Sequence, residues 1–209
     1  MIILDLRRFL GKIIYENISL QRFYIFERSL PFKSDGMSSG ITKNDSNNFS
    51  IRRLTLSSDD LLNQYMKFRD EVKKSEVLEW LSVGNMCLLA MNDEKIVGSL
   101  WITTKYYSFS EFKKVKLVLK DTANITKVFV LPQFRGKGIA SKLIQNILQI
   151  INKEDIKKAT AVVYMYNGVS IRFFSKFRFR IEHKLLILRI GSLRFHYLSK
   201  CKGPFWRDS

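Results

Sequence analysis

The residues of this chain best suited to chemistry lie together in Val128-Phe129-Val130-Leu131-Pro132-Gln133-Phe134-Arg135-Gly136-Lys137-Gly138-Ile139-Ala140. An apolar run stops at proline, and the chain then turns through two glycines into a pattern of helical spacing. Such a turn aims several backbone N–H groups at one point beside the positive end of a helix dipole, and glycine lets an anion approach the backbone closely. Pyrophosphate is the natural guest, with Arg135 and Lys137 as added charge. Elsewhere Tyr164, Tyr166, Glu182, His183 and His196 can move protons, but their spacing assigns no catalytic residue. Cys87 and Cys201 share no metal-ligand spacing with each other or with the two histidines, so neither zinc nor a disulfide framework is indicated.

The loop is not a Walker sequence, which needs a Gly-Lys-Ser/Thr ending. Nor is it a dinucleotide fingerprint, since the third glycine of GxGxxG falls at Ser141. The order Arg135-x-x-Gly138-x-Ala140, after an apolar strand and proline, instead resembles the acyl-CoA loop of the GNAT acetyltransferase family. Downstream, Asn167, Ser170, Phe174, Lys176 and Arg178-Phe179 stand where that family has Asn, a small residue, Tyr, Lys and Gly-Phe. The resemblance covers about residues 51–199.

It implies a mixed α/β fold, the GNAT acyl-CoA N-acyltransferase fold: a mostly antiparallel sheet with splayed central parallel strands and flanking helices. It also implies acetyl-CoA as acyl donor and co-substrate, with no metal, and an enzyme passing the acetyl group to an amine by direct attack on the thioester. The donor would be held by Val128, Phe129 and Val130 through the strand backbone, by Arg135, Gly136, Lys137, Gly138, Ile139 and Ala140 through the loop, and by Asn167 and Phe174 further on. Asn167 can hold the polar arm of a pantetheine or simply cap the helix it precedes.

Two residues depart from the family pattern. Phe174 replaces a tyrosine that often protonates the leaving thiolate, and Asn124 and Thr126 occupy the places of carboxylates that often serve as base. Positioning amine and carbonyl in one slot can still supply much of the rate. The departures leave open a non-catalytic acyl-CoA-binding or regulatory module, and a transferase drawing its acyl group from an acyl carrier protein.

The elements that must position these residues follow from periodicity. Strands are expected over 51–56, 86–91, 96–104, 125–131, 159–164, 181–190 and 193–199. Helices are expected from Asp59 to about Lys74, over 75–83, over 139–151, where Ile139, Leu143, Ile144, Ile147, Leu148 and Ile151 share one face, and over 168–177. Residues 106–120, with four lysines, read as a loop leading to an edge strand. Phe173, Phe177, Phe179 and Phe195 read as core. Residues 1–33 form a basic amphipathic arm, with Ile2, Ile3, Leu6, Leu10, Ile13 and Ile14 at near-helical spacing and a strand over 21–30. Residues 34–50 form a polar linker and 51–209 the acyltransferase domain.

The 209 residues carry 36 Lys plus Arg against 19 Asp plus Glu, a formal charge of +17, with 46% hydrophobic residues. A disordered polycation is excluded by that apolar content. After Pro132 there are 16 Lys/Arg against 4 Asp/Glu, a net of +12, so the last third is where an anion belongs. No recognition helix or RNA-binding signature accompanies the charge, which disfavours nucleic acid. The expected partners are a small-molecule or protein amine acceptor and an acidic neighbour, either an acyl carrier protein or an anionic membrane surface. The arm can dock on its own domain, on a second subunit of a homodimer or on that membrane. The expected setting is reduced and cytoplasmic, with membrane-surface association through the arm.

Overall fold

The computed structural model describes residues 18–30, 49–104, 106–109, 112–118, 120–154 and 156–201. The amphipathic residues of the arm and nearly all of the linker lie outside the described residues. Among the described residues, ten strands and four helices give a mixed α/β fold, as the sequence implied. The chain divides into two compact units, Ser29–Ala159 and the remainder, Met1–Arg28 with Thr160–Ser209.

In the unit Ser29–Ala159, β2 (Phe49–Leu54), β3 (Met86–Asn92), β4 (Lys95–Thr103) and β7 (Thr122–Val130) form a continuous antiparallel run in that order. β3 and β4 are buried almost throughout, as their unbroken apolar sequence requires when both faces of a sheet are covered. Helix α1 (Asp59–Phe68) and helix α2 (Lys74–Ser82) cover one side of this run. Leu54, Leu62, Tyr65, Val77, Cys87, Leu89, Met91, Ile96 and Trp101 form the core there. Helix α3 (Ile139–Ile151) buries the six apolar residues that its periodicity picks out.

Three local expectations change. Helix α1 ends at Phe68 rather than near Lys74: Arg69 leaves the helical backbone, with φ −130° and ψ 65°, while its N–H still donates to Tyr65 O. The hydroxyl of Ser58, at the N-cap position, bonds Thr55 at 2.5 Å instead of a helix amide. Residues 106–120 are not mainly loop: β5 (Tyr106–Phe109) and β6 (Phe112–Val118) pair antiparallel as a separate two-stranded sheet. Alternating aromatic and β-branched residues outweigh the lysines between them.

In the other unit, β9 (Arg180–Ile190) lies between β10 (Leu193–Lys200) and β1 (Ile18–Ser29), antiparallel to both, and β8 (Lys158–Tyr164) follows β1. The strand expected at 21–30 therefore begins at Ile18 and is a sheet member, with Phe23, Ile25 and Phe26 buried. Helix α4 (Gly168–Lys176) packs Phe174 against Phe26 and Phe179. Phe177 and Phe179 are core, as expected. Phe195 is not: it is 53% exposed on β10, the last strand of the run.

Candidate functional site

The glycine loop is built from β4 outward. Gly98 on β4 faces the start of α3 so closely that a Cβ there would meet Ile139 Cγ2 at 2.8 Å. That contact seats the helix on the strand. β7 reaches the loop at Val130, Leu131 N donates to Val97 O, and Pro132–Phe134 forms one 3-10 turn. Gly136 and Gly138 both adopt φ +78°, and Gly138 is the N-cap of α3, with no side chain capping the helix. A left-handed backbone is the reason for both glycines, since a Cβ at either would meet only open space.

Among the described residues, the N–H groups of Gly136, Lys137, Gly138, Ile139, Ala140 and Ser141 have no backbone acceptor; the first is Lys142 N, to Gly138 O. Six amides without a backbone acceptor at a helix N-terminus, with no carboxylate in the first turn, fit a pyrophosphate. Arg135 and Lys137 are exposed. Arg135 Nε donates to Val130 O at 3.2 Å, tying loop to strand, and Lys137 Nζ lies 5.0 Å from the Phe134 ring centroid.

Beside the loop, β7 is irregular. Ser99 pairs with Phe129 and Trp101 with Thr126, so β7 has one residue more than β4 between these pairs. This is a β-bulge, and its Lys127 has φ +49°. A lysine in that region is strained by about 1 kcal/mol or more. The bulge turns Lys127 Nζ over the Trp80 ring, 4.1 Å from its centroid, while Phe129 packs on Phe68 at 5.3 Å and carries the Arg69 guanidinium 4.5 Å above its ring.

Five rings connect these positions in a chain of edge contacts, Phe129, Phe68, Tyr65, Trp101 and Trp80. Trp101 Nε1 donates to Tyr65 Oη at 2.8 Å. Burial, and then the neighbouring Cys87, push the Tyr65 hydroxyl up to about 12, so Tyr65 is no base at neutral pH. Lys127 is lowered by crowding of its ammonium among protein atoms, then by the Arg69 charge, with Glu76 and Glu71 opposing. Although the residue as a whole is solvent-exposed, the ring contact accounts for the crowding.

The sequence did not single out Arg69, Trp80 or Lys127. The one available signal was a lysine interrupting the apolar run from Ile125 to Leu131. Asn124 is fully buried and Thr126 half-buried on β7. Val128, Phe129 and Val130 are half-buried and lead through Leu131 and the 3-10 turn into the loop from Arg135 to Ala140, so these nine candidates fall within one stretch of chain.

Asn167 and Phe174 belong to the other unit. Asn167 Oδ1 accepts the Ser170 N–H at 3.0 Å and caps α4. Phe174 is buried, 5% exposed. Among the proton-moving candidates there, Tyr164 Oη donates to Gln21 Oε1 at 3.2 Å, His183 Nδ1 lies 3.8 Å from Glu27 Oε1, and Tyr166 and His196 are exposed. No three His, Cys, Asp or Glu side chains among the described residues could hold a metal ion. No helix among them is long and apolar enough to cross a membrane.

Comparison with known proteins agrees with this architecture. An uncharacterized N-acetyltransferase of Archaeoglobus fulgidus is 33% identical over 88 residues, 42% of this chain and 55% of that protein, so the match spans just over half of the relative's length. A Novosphingobium aromaticivorans protein assigned to the GNAT acetyltransferases superposes with a TM-score of 0.56 at 12% identity, covering 88% of this chain and 66% of that one. An N-acetyltransferase from Staphylococcus aureus superposes at 0.50 and 18% identity, covering 64% and 84%. The model of the acetyltransferase (GNAT) family matches residues 55–179, more than half of the chain and inclusive of the β7 bulge, the glycine loop and α3, and the chain belongs to that family.

Proposed function

We propose that this protein transfers an acetyl group from acetyl-CoA to an amine. One observation carries the reading: six consecutive N–H groups, Gly136 to Ser141, have no backbone acceptor among the described residues at the uncapped start of α3, with Arg135 and Lys137 beside them in the chain. The pyrophosphate of the donor would take those amides. Its pantetheine would follow β7, where exposed backbone groups around Val128 and Val130 can bond its amides as a short added strand.

Acetyl-CoA brings an activated thioester. What the chain supplies is position: the donor fixed at the loop and the acyl carbon held beside the bulge, where an amine can reach it. The amine nitrogen attacks the carbonyl carbon, the C–S bond breaks, and the nitrogen gives up its proton as the thiolate leaves. With Asn124 and Thr126 in place of carboxylates, and Phe174 in place of a phenol, we assign no side chain as general acid or base; solvent takes the proton. Approximation of the two reactants is then the main source of rate.

The family membership, the free amides and the left-handed glycines all support this reading over a nucleic-acid or metal-dependent role. Calorimetric titration with acetyl-CoA tests it, together with a thiol assay for CoA release over a broad amine panel. Gly138→Val should abolish binding while circular dichroism stays unchanged. Absence of binding at millimolar acetyl-CoA would overturn the donor site. Binding without turnover of any amine would leave a donor-binding module in place of an enzyme.

A further inference from the structure

We propose that the acceptor is an anionic amine, a primary amine whose molecule also carries a carboxylate or phosphate, and that Arg69 and Lys127 bind this oxyanion beside the β7 bulge. This deepens the acetyl-transfer reading and rests on it, since it takes the acyl carbon to lie along β7.

The two cations are held in an unusual way. Arg69 sits over Phe129, the residue at the bulge, and Lys127, within the bulge, sits over Trp80. Ring faces attract a cation without using its N–H donors. Glu71 takes only Arg69 Nε. Among the described residues, the terminal nitrogens of Arg69 and all three protons of Lys127 then have no hydrogen-bond acceptor. Glu76 lowers the potential nearby but makes no ion pair with either.

Both cations flank the bulged stretch of β7, Arg69 over Phe129 and Lys127 over Trp80, and Arg69 disfavours the charged form of Lys127. Lys127 gets there through a left-handed backbone that lysine adopts only with strain. A lysine needed only for solubility would not require the bulge. An oxyanion between the two would satisfy both sets of donors and remove the repulsion. A cationic acceptor would find the reverse: the ring faces suited to it already carry Lys127 and Arg69, and Glu71 is engaged by Arg69.

The test pairs amines that differ only in charge, assayed by CoA release: 4-aminobutyrate and O-phosphoethanolamine against ethanolamine, and putrescine as the cation. We expect the anionic members to exceed ethanolamine in kcat/KM by about 10- to 100-fold, mainly through KM, the range that charge-assisted hydrogen bonds supply. The carboxylate and phosphate arms tell which oxyanion is preferred. Arg69→Gln and Lys127→Asn should each remove most of that preference without changing the KM for acetyl-CoA; asparagine tolerates the backbone of residue 127. Lys127→Asp should shift preference toward putrescine.

Equal or better use of ethanolamine or putrescine by the unaltered protein, or a preference unmoved in both variants, overturns the inference while acetyl-CoA binding leaves the donor site standing. Failure of acetyl-CoA to bind in calorimetry overturns both. If no amine is turned over, ligand-observed NMR with CoA-saturated protein decides. Binding of the anionic amines that is lost in the variants supports the inference, and absence of such binding overturns it.

Discussion

Gly98 and Ile139 are in the closest strand-to-helix approach at the candidate donor site: a single methyl added at Gly98 would fall 2.8 Å from Ile139 Cγ2 and 3.3 Å from the Phe129 carbonyl. Ile139 is the first residue of α3 and is itself buried, 2% exposed, so the contact cannot be relieved by rotation into solvent. Gly98→Ala should lower stability by about 1–3 kcal/mol through overpacking. It should also weaken acetyl-CoA binding, because relief requires the start of α3 to move away from the loop. Denaturant unfolding and calorimetry measure the two effects. Adding Ile139→Ala, which removes Cγ2, should recover part of the lost affinity, which a general destabilisation would not.

Arg135 differs from Lys137 in having a structural partner. Its Nε holds the Val130 carbonyl, whereas the Lys137 ammonium rests over Phe134. Arg135→Ala should therefore weaken acetyl-CoA binding more than Lys137→Ala, by about 10-fold against a few-fold, given charged hydrogen bonds of about 1.5–3 kcal/mol reduced by solvent at an exposed site. Raising the salt concentration should narrow the difference from the unaltered protein in both cases. Calorimetry at two ionic strengths checks this, and equal losses in the two variants would contradict it.

Asn167 serves the N-terminus of α4 through its carbonyl oxygen. Asn167→Ala should cost about 1 kcal/mol of stability, while Asn167→Asp, an equally good cap, should cost little. Donor affinity then separates the two roles open to this residue. If Asn167 only caps, the aspartate variant binds acetyl-CoA normally; if its amide also holds the pantetheine, that variant loses affinity without losing stability.

Tyr65 makes stability depend on pH in the alkaline range. Its folded-state value of about 12 stands above the ordinary 10, so folding favours the neutral phenol. That contribution is fully present below pH 10 and is lost as pH rises through about 12, because the unfolded chain then releases a proton that the folded chain retains. Tyrosinate absorbance should include a component appearing only near pH 12, together with unfolding. Tyr65→Phe should remove that component and, by freeing Trp101 Nε1 from its acceptor, lower stability at neutral pH by about 1 kcal/mol or more.

Local order in this chain was legible wherever neighbours in sequence decide it. The six apolar residues of α3 were named by their 3.6-residue spacing, and burial follows that spacing because one helix face must be covered. The loop was legible for a similar reason: proline ends the strand, two glycines permit the left-handed turns, and the helix begins at once. Side chains were harder to read. The hairpin β5–β6 was hidden because four lysines over residues 106–120 resemble a solvated loop when nothing shows which strand pairs with which. Phe195 reads as core by its type, yet it lies on the outermost strand, and only strand order reveals that.

The sequence by itself determined the family, most of the elements and the glycine turn that opens α3, all of which rest on short-range spacing. Tertiary structure alone decided what faces that loop's neighbouring strand. Arg69 and Lys127 are 58 positions apart in the chain. Only the extra residue of β7 opposite β4 turns Lys127 onto Trp80, and only the early end of α1 at Phe68 frees Arg69 to reach Phe129. The acceptor specificity proposed above rests on such a long-range pair, and no periodicity in a sequence encodes which bulge meets which loop.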